Sequence, residues 1–440
     1  MLSGEGMGTG RMLAICFAVT VWAWWGATWA SGTVIAEGER LSLERCIEIA
    51  IANQPAIHQQ HHTLDMNEAA LGMARSDYYP QLDLTAGLRR YNRVSQFGDP
   101  YTPLSQYGYR WSENNLTLKQ KLYDFGKRES VVAAARLQVD AARADRDNQI
   151  AATVNSVKTA YYQVLRSLRT REVAEEAVDQ YRRQLDQARL FFEAGKKPRF
   201  DVTQGEVNLG NARIDLIGAE NDLAYARVVL SAAMGYEGSA SYEIEDRLVD
   251  APFSIGEEEA VDYALKHRQD MKSLLAQKEA AQKAVETARK DYYPSLDASA
   301  GYDVSGSQAP LSQGLNAGVS LSWNLFKGMA TSKGVEKALA NQRIVEARVA
   351  GLRLTIRQEV RKGLLDMKKA RETIVNAEIQ VRQASENLEL ANLRYRTGLG
   401  TPLDVTNATV AYSNAKLTRI AAQYNQVIAR ANVEKAMGNR

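Results

Sequence analysis

Residues 127–194 contain neither glycine nor proline, an uninterrupted run of 68 residues. At 1.5 Å per residue, a helix of that length is roughly 102 Å long, several times the width of a globular core. Within the run Ile150, Val154, Val157, Tyr161, Val164 and Leu168 step by 4, 3, 4, 3 and 4. After a shift the pattern resumes at Ala174, Val178, Tyr181, Leu185, Ala188 and Phe192. A seam with this repeat buries against other long helices rather than inside a compact interior. The chain is therefore expected to be elongated.

The plan around this run occurs twice. "ARSDYYPQLDLTAG" from Ala74 matches "ARKDYYPSLDASAG" from Ala288 at an offset of 214, which also lays residues 44–57 over 258–271. Farther along the offset is 203: Gly195 matches Gly398, "DVTQGEVNLGNAR" from Asp201 matches "DVTNATVAYSNAK" from Asp404, and Met234 matches Met437. The first copy thus carries 11 extra residues, placed in "RVSQFGDPYTPLSQYGY", whose Gly, Pro and Ser content predicts a surface loop. Residues 37–235 form the first repeat, with helices over 43–76, 127–194 and 201–234 and strands over 82–92 and 112–123. Pro55 restarts the first helix after "NQP". Residues 236–256 are a connector with a short strand or two. The second repeat, 257–440, has helices over 257–290, 329–397 and 403–437 and strands over 295–304 and 315–326. The segments 43–76 and 201–234 are 34 residues each, so stacked end to end they match the length of the long helix.

After Pro80 and Pro294 the apolar period changes to 2. Leu296, Ala298, Ala300, Tyr302 and Val304 alternate with Asp297, Ser299, Gly301 and Asp303, and Leu315, Ala317, Val319, Leu321, Trp323 and Leu325 alternate with polar residues and glycine. In the first copy Leu82, Leu84, Ala86 and Leu88 begin one such strand; Leu116, Leu118 and Leu122 mark its partner, with Gln120 interrupting the apolar face. Strands of about ten residues with one apolar and one polar face suit a transmembrane barrel, although a soluble hairpin on a helical core has the same pattern. Ten of the twenty tyrosines fall within 78–125 and 292–326. Tyr78, Tyr79, Tyr292, Tyr293 and Trp323 would then sit at the lipid headgroups. Four strands do not close a barrel, and open edges in lipid are costly, so the chain is expected to associate; three copies supply twelve strands.

The rest of the sequence mostly excludes. Arg11 followed by "MLAICFAVTVWAWWGATWA", with small residues near Ala30 and Ala36, reads as a signal peptide over 1–36, the alternative being a retained anchor. Cys16 lies inside it, too early for lipid attachment, which leaves Cys46 as one thiol with no disulfide partner. Lys and Arg total 55 against 52 Asp and Glu, so the charge balance carries no nucleic-acid footprint. A mean hydropathy of -0.36 excludes a bundle of membrane-spanning helices. His58, His61 and His62 include one i, i+4 pair but lack a third ligand cluster, so no metal site is expected. Neither a phosphate-binding loop nor a nucleophile elbow is present, so no cofactor and no enzyme activity are expected.

With "AIANQPAI" at Ala50, "ALKHRQDM" at Ala264, "LSWNLFKG" at Leu321, "FEAGKKPRFDV" at Phe192 and "YRTGLGTPLDV" at Tyr395, the duplicated plan resembles the TolC-like outer membrane efflux proteins over nearly the whole mature chain. The resemblance implies a mainly α fold with a small β part. As a homotrimer it would form a twelve-stranded barrel in the outer membrane of a Gram-negative bacterium, continuous with a periplasmic helical barrel whose equator holds the connector. It implies an exit duct that meets a periplasmic adaptor and an inner-membrane transporter of the RND, ABC or MFS class, for small-molecule efflux or type I protein secretion. Gly195, Lys196 and Lys197, and Gly398, Leu399 and Gly400, match adaptor-docking tips; Tyr395, Asp404, Asn407 and Asp201 match the periplasmic gate. Read from the residues alone, Gly195 and Gly398 are helix C-caps and Asp201 and Asp404 are cap or first-turn carboxylates. The sequence departs from the family pattern at Asn407, where a second acidic residue is usual, and at Gly400, where an arginine helps latch the closed tip. Lys196 and Lys197 stand where small or apolar residues are usual. A structural trimeric coiled-coil envelope protein or adhesin anchored by its strands is the rival reading.

Overall fold

The computed structural model describes residues 38–92, 108–238, 242–246, 255–306 and 310–439. The expected signal peptide, most of the expected 93–109 loop and part of the connector lie outside the described residues. In chain order the first copy has β1 (Arg40–Leu41), α1 (Leu43–Asn53), α2 (Pro55–Ser76), β2 (Gln81–Asn92), β3 (Gly108–Tyr123), α3 (Lys127–Glu193) and α4 (Arg199–Ala233). After β4 (Glu243–Ile244) the second copy has α5 (Glu257–His267), α6 (Gln269–Lys290), β5 (Ser295–Gly306), β6 (Ser312–Ser322), α7 (Ala330–Arg396) and α8 (Pro402–Met437). The helices α3 and α7 are 67 residues each. No helix of the described residues is long and apolar enough to cross a membrane.

The core is a strip between helices. α3 packs against α1, α2, α4, α6 and α8, whereas α7 packs against α5, α6 and α8. The two copies bury the same places: Ala50 and Ala264, Val157 and Val360, and Leu230 and Val433 are fully buried pairs at the two sequence offsets. In the first copy Cys46 and Ile49 join Val157, Tyr161, Leu165, Leu223 and Leu230, with Tyr424 and Val427 of α8 closing the cluster. Tyr161 donates from its hydroxyl to the carbonyl of Glu245 at 2.5 Å, fixing the parallel β1–β4 pair to α3. Burial pushes the Cys46 thiol up to about 12, so the buried sulfur is an uncharged packing group.

Sequence expectations need correction at three places. The strand expected over 315–326 runs over Ser312–Ser322, and Trp323 and Leu325 lie past its end, where the Trp323 indole bonds the Tyr292 carbonyl. The segment 257–290 is two helices, broken at Arg268 without a proline. The cause is tertiary. In the first copy Gln54 Nε2 donates to the carbonyls of Ala232 and Ala233 at the end of α4, at 3.4 and 3.1 Å. In the second, Arg268 Nη1 donates to the carbonyl of Ala436 at 3.3 Å and pairs with Asp270 and Glu359. Gly235 and Gly438 follow with φ of 67° and 84°, and a Cβ on either would lie 2.9 Å from the Cα of Gln54 or Arg268. The end of one helix is thus pressed into the break of another. Because α1 lies beside the last turns of α4, the 22 residues of α2 and the 35 of α4 share the line along α3, not two segments of 34.

The four long strands form one antiparallel sheet in the order β2–β3–β5–β6. Its register aligns the apolar residues. Leu82, Leu118, Ala300 and Ala317 make one cross-strand row, and Leu84, Leu116, Tyr302 and Leu315 the next. The other face carries Asp83, Thr117, Gly301 and Asn316 in one row and Thr85, Asn115, Asp303 and Gly314 in another. Among the described residues β2 and β6 have no strand on their outer sides.

Candidate functional site

At the end of the helices far from the sheet, α3 and α7 finish in the same way. Gly195 and Gly398 adopt φ of 69° and 81°, and the amides of Lys196 and Leu399 reach back to the carbonyls of Phe191 and Arg394 at 2.9 Å. This six-to-one bond requires a left-handed residue after the helix, the position glycine occupies without steric cost. Gly400 is buried against α7; a Cβ there would lie 3.1 Å from Arg394 Cβ and from the Tyr395 amide nitrogen.

The next helices begin with unlike caps. At α8, Thr401 and Asp404 form a reciprocal capping box: the Thr401 amide and hydroxyl donate to Asp404 Oδ2 at 2.9 and 2.8 Å, and the Asp404 amide donates to Thr401 Oγ1 at 3.2 Å. These bonds from the Thr401 backbone and side chain hold the exposed Asp404 carboxyl below its ordinary pKa, with Arg394 adding to the effect. Asn407 is exposed one turn along the same face. At α4 the N-cap is Pro198, which offers no side-chain partner, and Asp201 is buried with Oδ2 unbonded among the described residues.

Asp201 lies in a cluster that joins both copies. Tyr395 is buried, and its phenol is pushed up by burial first and by the charge of Asp201 second. Its ring meets that of Phe191 edge-on at 5.9 Å, and Lys197 Nζ stands 5.4 Å from its centroid. Farther in, Asn208 donates to Thr406 and Gln184 to Thr409, each at 3.0 Å, linking the two hairpins again. Of the gate residues expected from sequence, Tyr395 and Asp201 come together, while Asp404 and Asn407 stay on the exposed start of α8. Phe191, Gln184 and Asn208 were not legible. Their neighbours lie across about 200 residues of sequence, beyond any local pattern.

At the other end of the helices, Tyr78, Tyr79, Tyr292, Tyr293 and Trp323 are exposed where helices meet strands. Trp323 Nε1 donates to the carbonyl of Tyr292 at 3.0 Å, and Phe125 stacks on Tyr293 with centroids 5.3 Å apart. Arg128 is the organising residue that the sequence reading missed. It pairs with buried Asp124, donates to the carbonyls of Asp77, Lys121 and Leu122, and lies 4.9 Å above the Tyr78 ring. One guanidinium thus ties the ends of α2 and β3 to the start of α3. His58 bonds the carbonyl of Ala52 and His62 pairs with Asp65. Among the described residues no three His, Cys, Asp or Glu side chains gather in a way that could hold a metal ion.

Comparison with known proteins adds the following. The family model for outer membrane efflux proteins matches residues 46–236 and 260–439. Protein CyaE of Bordetella pertussis is 26% identical over 339 residues, covering 75% of this chain and 70% of the relative. Outer membrane protein TolC of Escherichia coli is 23% identical over 421 residues, covering 90% and 82%. The crystal structure of the Campylobacter jejuni CmeC outer membrane channel superposes with a TM-score of 0.80 at 18% identity, covering 90% of this chain and 85% of that one, a likeness of fold.

Proposed function

The chain belongs to the outer membrane efflux protein family, and on that premise we propose that three copies close into one exit duct across the outer membrane. The observation that carries this reading is the sheet: its Leu82 and Leu84 rows are apolar across all four strands while, among the described residues, both edges are open. An open edge in lipid leaves backbone groups unbonded at several kcal/mol each. Because every neighbouring pair is antiparallel, β6 runs opposite to β2, so β6 of one copy beside β2 of the next continues the same order. Three copies close twelve strands, with the Leu82 and Leu84 rows towards lipid and the Asp83 and Thr85 rows towards the lumen. The exposed tyrosines and Trp323 form the headgroup girdle on the side of the helices.

Below the sheet the long helices continue the wall as a tunnel that narrows at the tips. The tie of Phe191 and Lys197 to Tyr395, with Asp201 beside it, holds the two hairpins of each copy together in a closed gate. Asp404 supplies one carboxylate per copy to a ring at the entrance, where negative charge favours cations; Asn407 adds none. The tips meet a periplasmic adaptor and, through it, an inner-membrane transporter of the RND, ABC or MFS class. The cargo is a small molecule or a secreted protein, and it passes without chemical change.

Single-channel recording of the purified protein in a planar bilayer tests the duct. Small conductance is expected of the unsubstituted chain and larger steps of Asp404→Ala combined with Tyr395→Ala, which removes the ring that Phe191 and Lys197 contact. No conductance from either would sink the channel and favour an adhesin-like envelope protein anchored by strands.

A further inference from the structure

The two tip turns have the same backbone but opposite chemistry. The second, between Thr397 and Leu403, carries no charge. The first carries Lys196, Lys197 and Arg199 within four residues, with Leu190, Phe192 and Phe200 exposed around them. Helix electrostatics accounts for only part of this. Lys196 and Lys197 follow the C-terminus of α3, where cations are favoured, but Arg199 is the first residue of α4, where they are not. Nor do neighbouring carboxylates neutralise the group. Arg189 pairs with Glu206 at 3.0 Å, whereas Lys196, Lys197 and Arg199 make no ion pair among the described residues. Arg394 and Arg396 are exposed on the adjoining hairpin; of the nearby acids Asp201 is buried, Asp404 is held in its capping box, and exposed Glu193, the last residue of α3, makes no ion pair among the described residues and leaves the turn net positive.

We infer that the first tip turn is a docking surface for an acidic helical hairpin of the periplasmic adaptor, and that the second turn takes an uncharged one. The inference rests on the adaptor reading above and adds the chemistry of the partner. Three unpaired cations beside exposed Leu and Phe side chains fit a loop that offers two or three carboxylates next to apolar residues, and they repel a basic loop. A carboxylate that reaches Lys197 also competes with the Tyr395 ring for it, so docking at this turn weakens the tie that closes the gate.

The test uses the full chain in its native host with a photoreactive residue in place of exposed Phe200, beside the first turn; a second chain with one in place of Leu399 reports any adaptor at the other turn. In the Phe200 background Lys196→Glu, Lys197→Glu and Arg199→Glu together are expected to cut adaptor crosslinking roughly ten-fold or more. Changing the carboxylates of the adaptor's hairpin loop to lysine is expected to restore it. If the triple reversal fails to assemble, the triple glutamine variant replaces it, with a smaller loss expected. Undiminished crosslinking in assembled variants, or an adaptor loop without carboxylates, overturns the acidic-partner inference and leaves the adaptor reading standing. No adaptor at position 200 or at position 399 of the otherwise unsubstituted chains overturns both.

Discussion

Among single residues, Asp404, placed above at the proposed gate, is also a structural carboxylate. Oδ2 accepts from both the amide and the hydroxyl of Thr401, so the charged form is favoured in the folded turn and the pKa is depressed. A carboxylate with a lower pKa folded than unfolded stabilises the fold above its unfolded value, and that contribution is lost as pH falls through the folded value. Hydrogen exchange at the start of α8, corrected for intrinsic rates, is therefore expected to show protection that drops in the acid range. Asp404→Ala is expected to show low protection with no such drop. Protection that is pH-independent in the unsubstituted chain would contradict the capping role. Asp201 lacks this device because Pro198 precedes its helix, and its buried Oδ2 has no hydrogen-bond partner among the described residues. The capping role of Asp404 is readable from "TPLD", since threonine three residues before an acid is a helix-start signal. The burial of Asp201 is not readable, because it depends on an aromatic ring about 200 residues away.

At the scale of elements, the 67-residue helices are the most legible feature, because a run without glycine or proline and with a continuous seam leaves little alternative. The break at Arg268 is invisible in sequence. Nothing local forbids a helix there; the break is made by the end of α8, whose Gly438 packs against the Arg268 backbone. The strands β1 and β4, two residues each, are too short to carry a period. In the long strands the period of 2 is legible, and the register adds what sequence lacks, namely which residues share a row. Ala298 lies between Gln120 and Val319, and Leu321 opposite Leu296, on the apolar face; Ser299 and Ser320 lie on the other. Gln120 is accommodated on the apolar face because its amide donates to the carbonyls of Tyr78 and Lys121 near the helical end. Arginine at Ala298 or Leu321 is expected to cost up to about 2–4 kcal/mol, depending on depth, and to reduce the heat-resistant oligomer in outer-membrane fractions. Arginine at Ser299 or Ser320 is expected to leave it near normal. Equal loss at all four positions would contradict this orientation of the sheet.

For the whole molecule, the two flanks of a copy are different surfaces, and this decides how copies assemble. One flank carries Val207, Ile214, Tyr225 and Val228 on α4, exposed and on one face; the other carries Leu354, Leu365, Ile379 and Leu390 on α7. Unlike flanks that meet give a head-to-tail contact, which makes a ring when its rotation closes, whereas like flanks give a two-fold dimer. Glutamate at Ile214 or at Leu365 removes about 1.5–3 kcal/mol of apolar burial per contact and adds a charge that must be desolvated, without touching the core of the copy itself. Each variant alone is expected to prevent the proposed trimer. When the two are mixed, at most one of the three contacts in any ring pairs two intact flanks, so the mixture is expected to yield dimers and no trimers in analytical ultracentrifugation. A two-fold contact between like flanks predicts otherwise: one variant would lose assembly and the other would keep it. The mixing experiment therefore separates a closed ring, which a duct requires, from a pair of helical rods, which an envelope spacer could be.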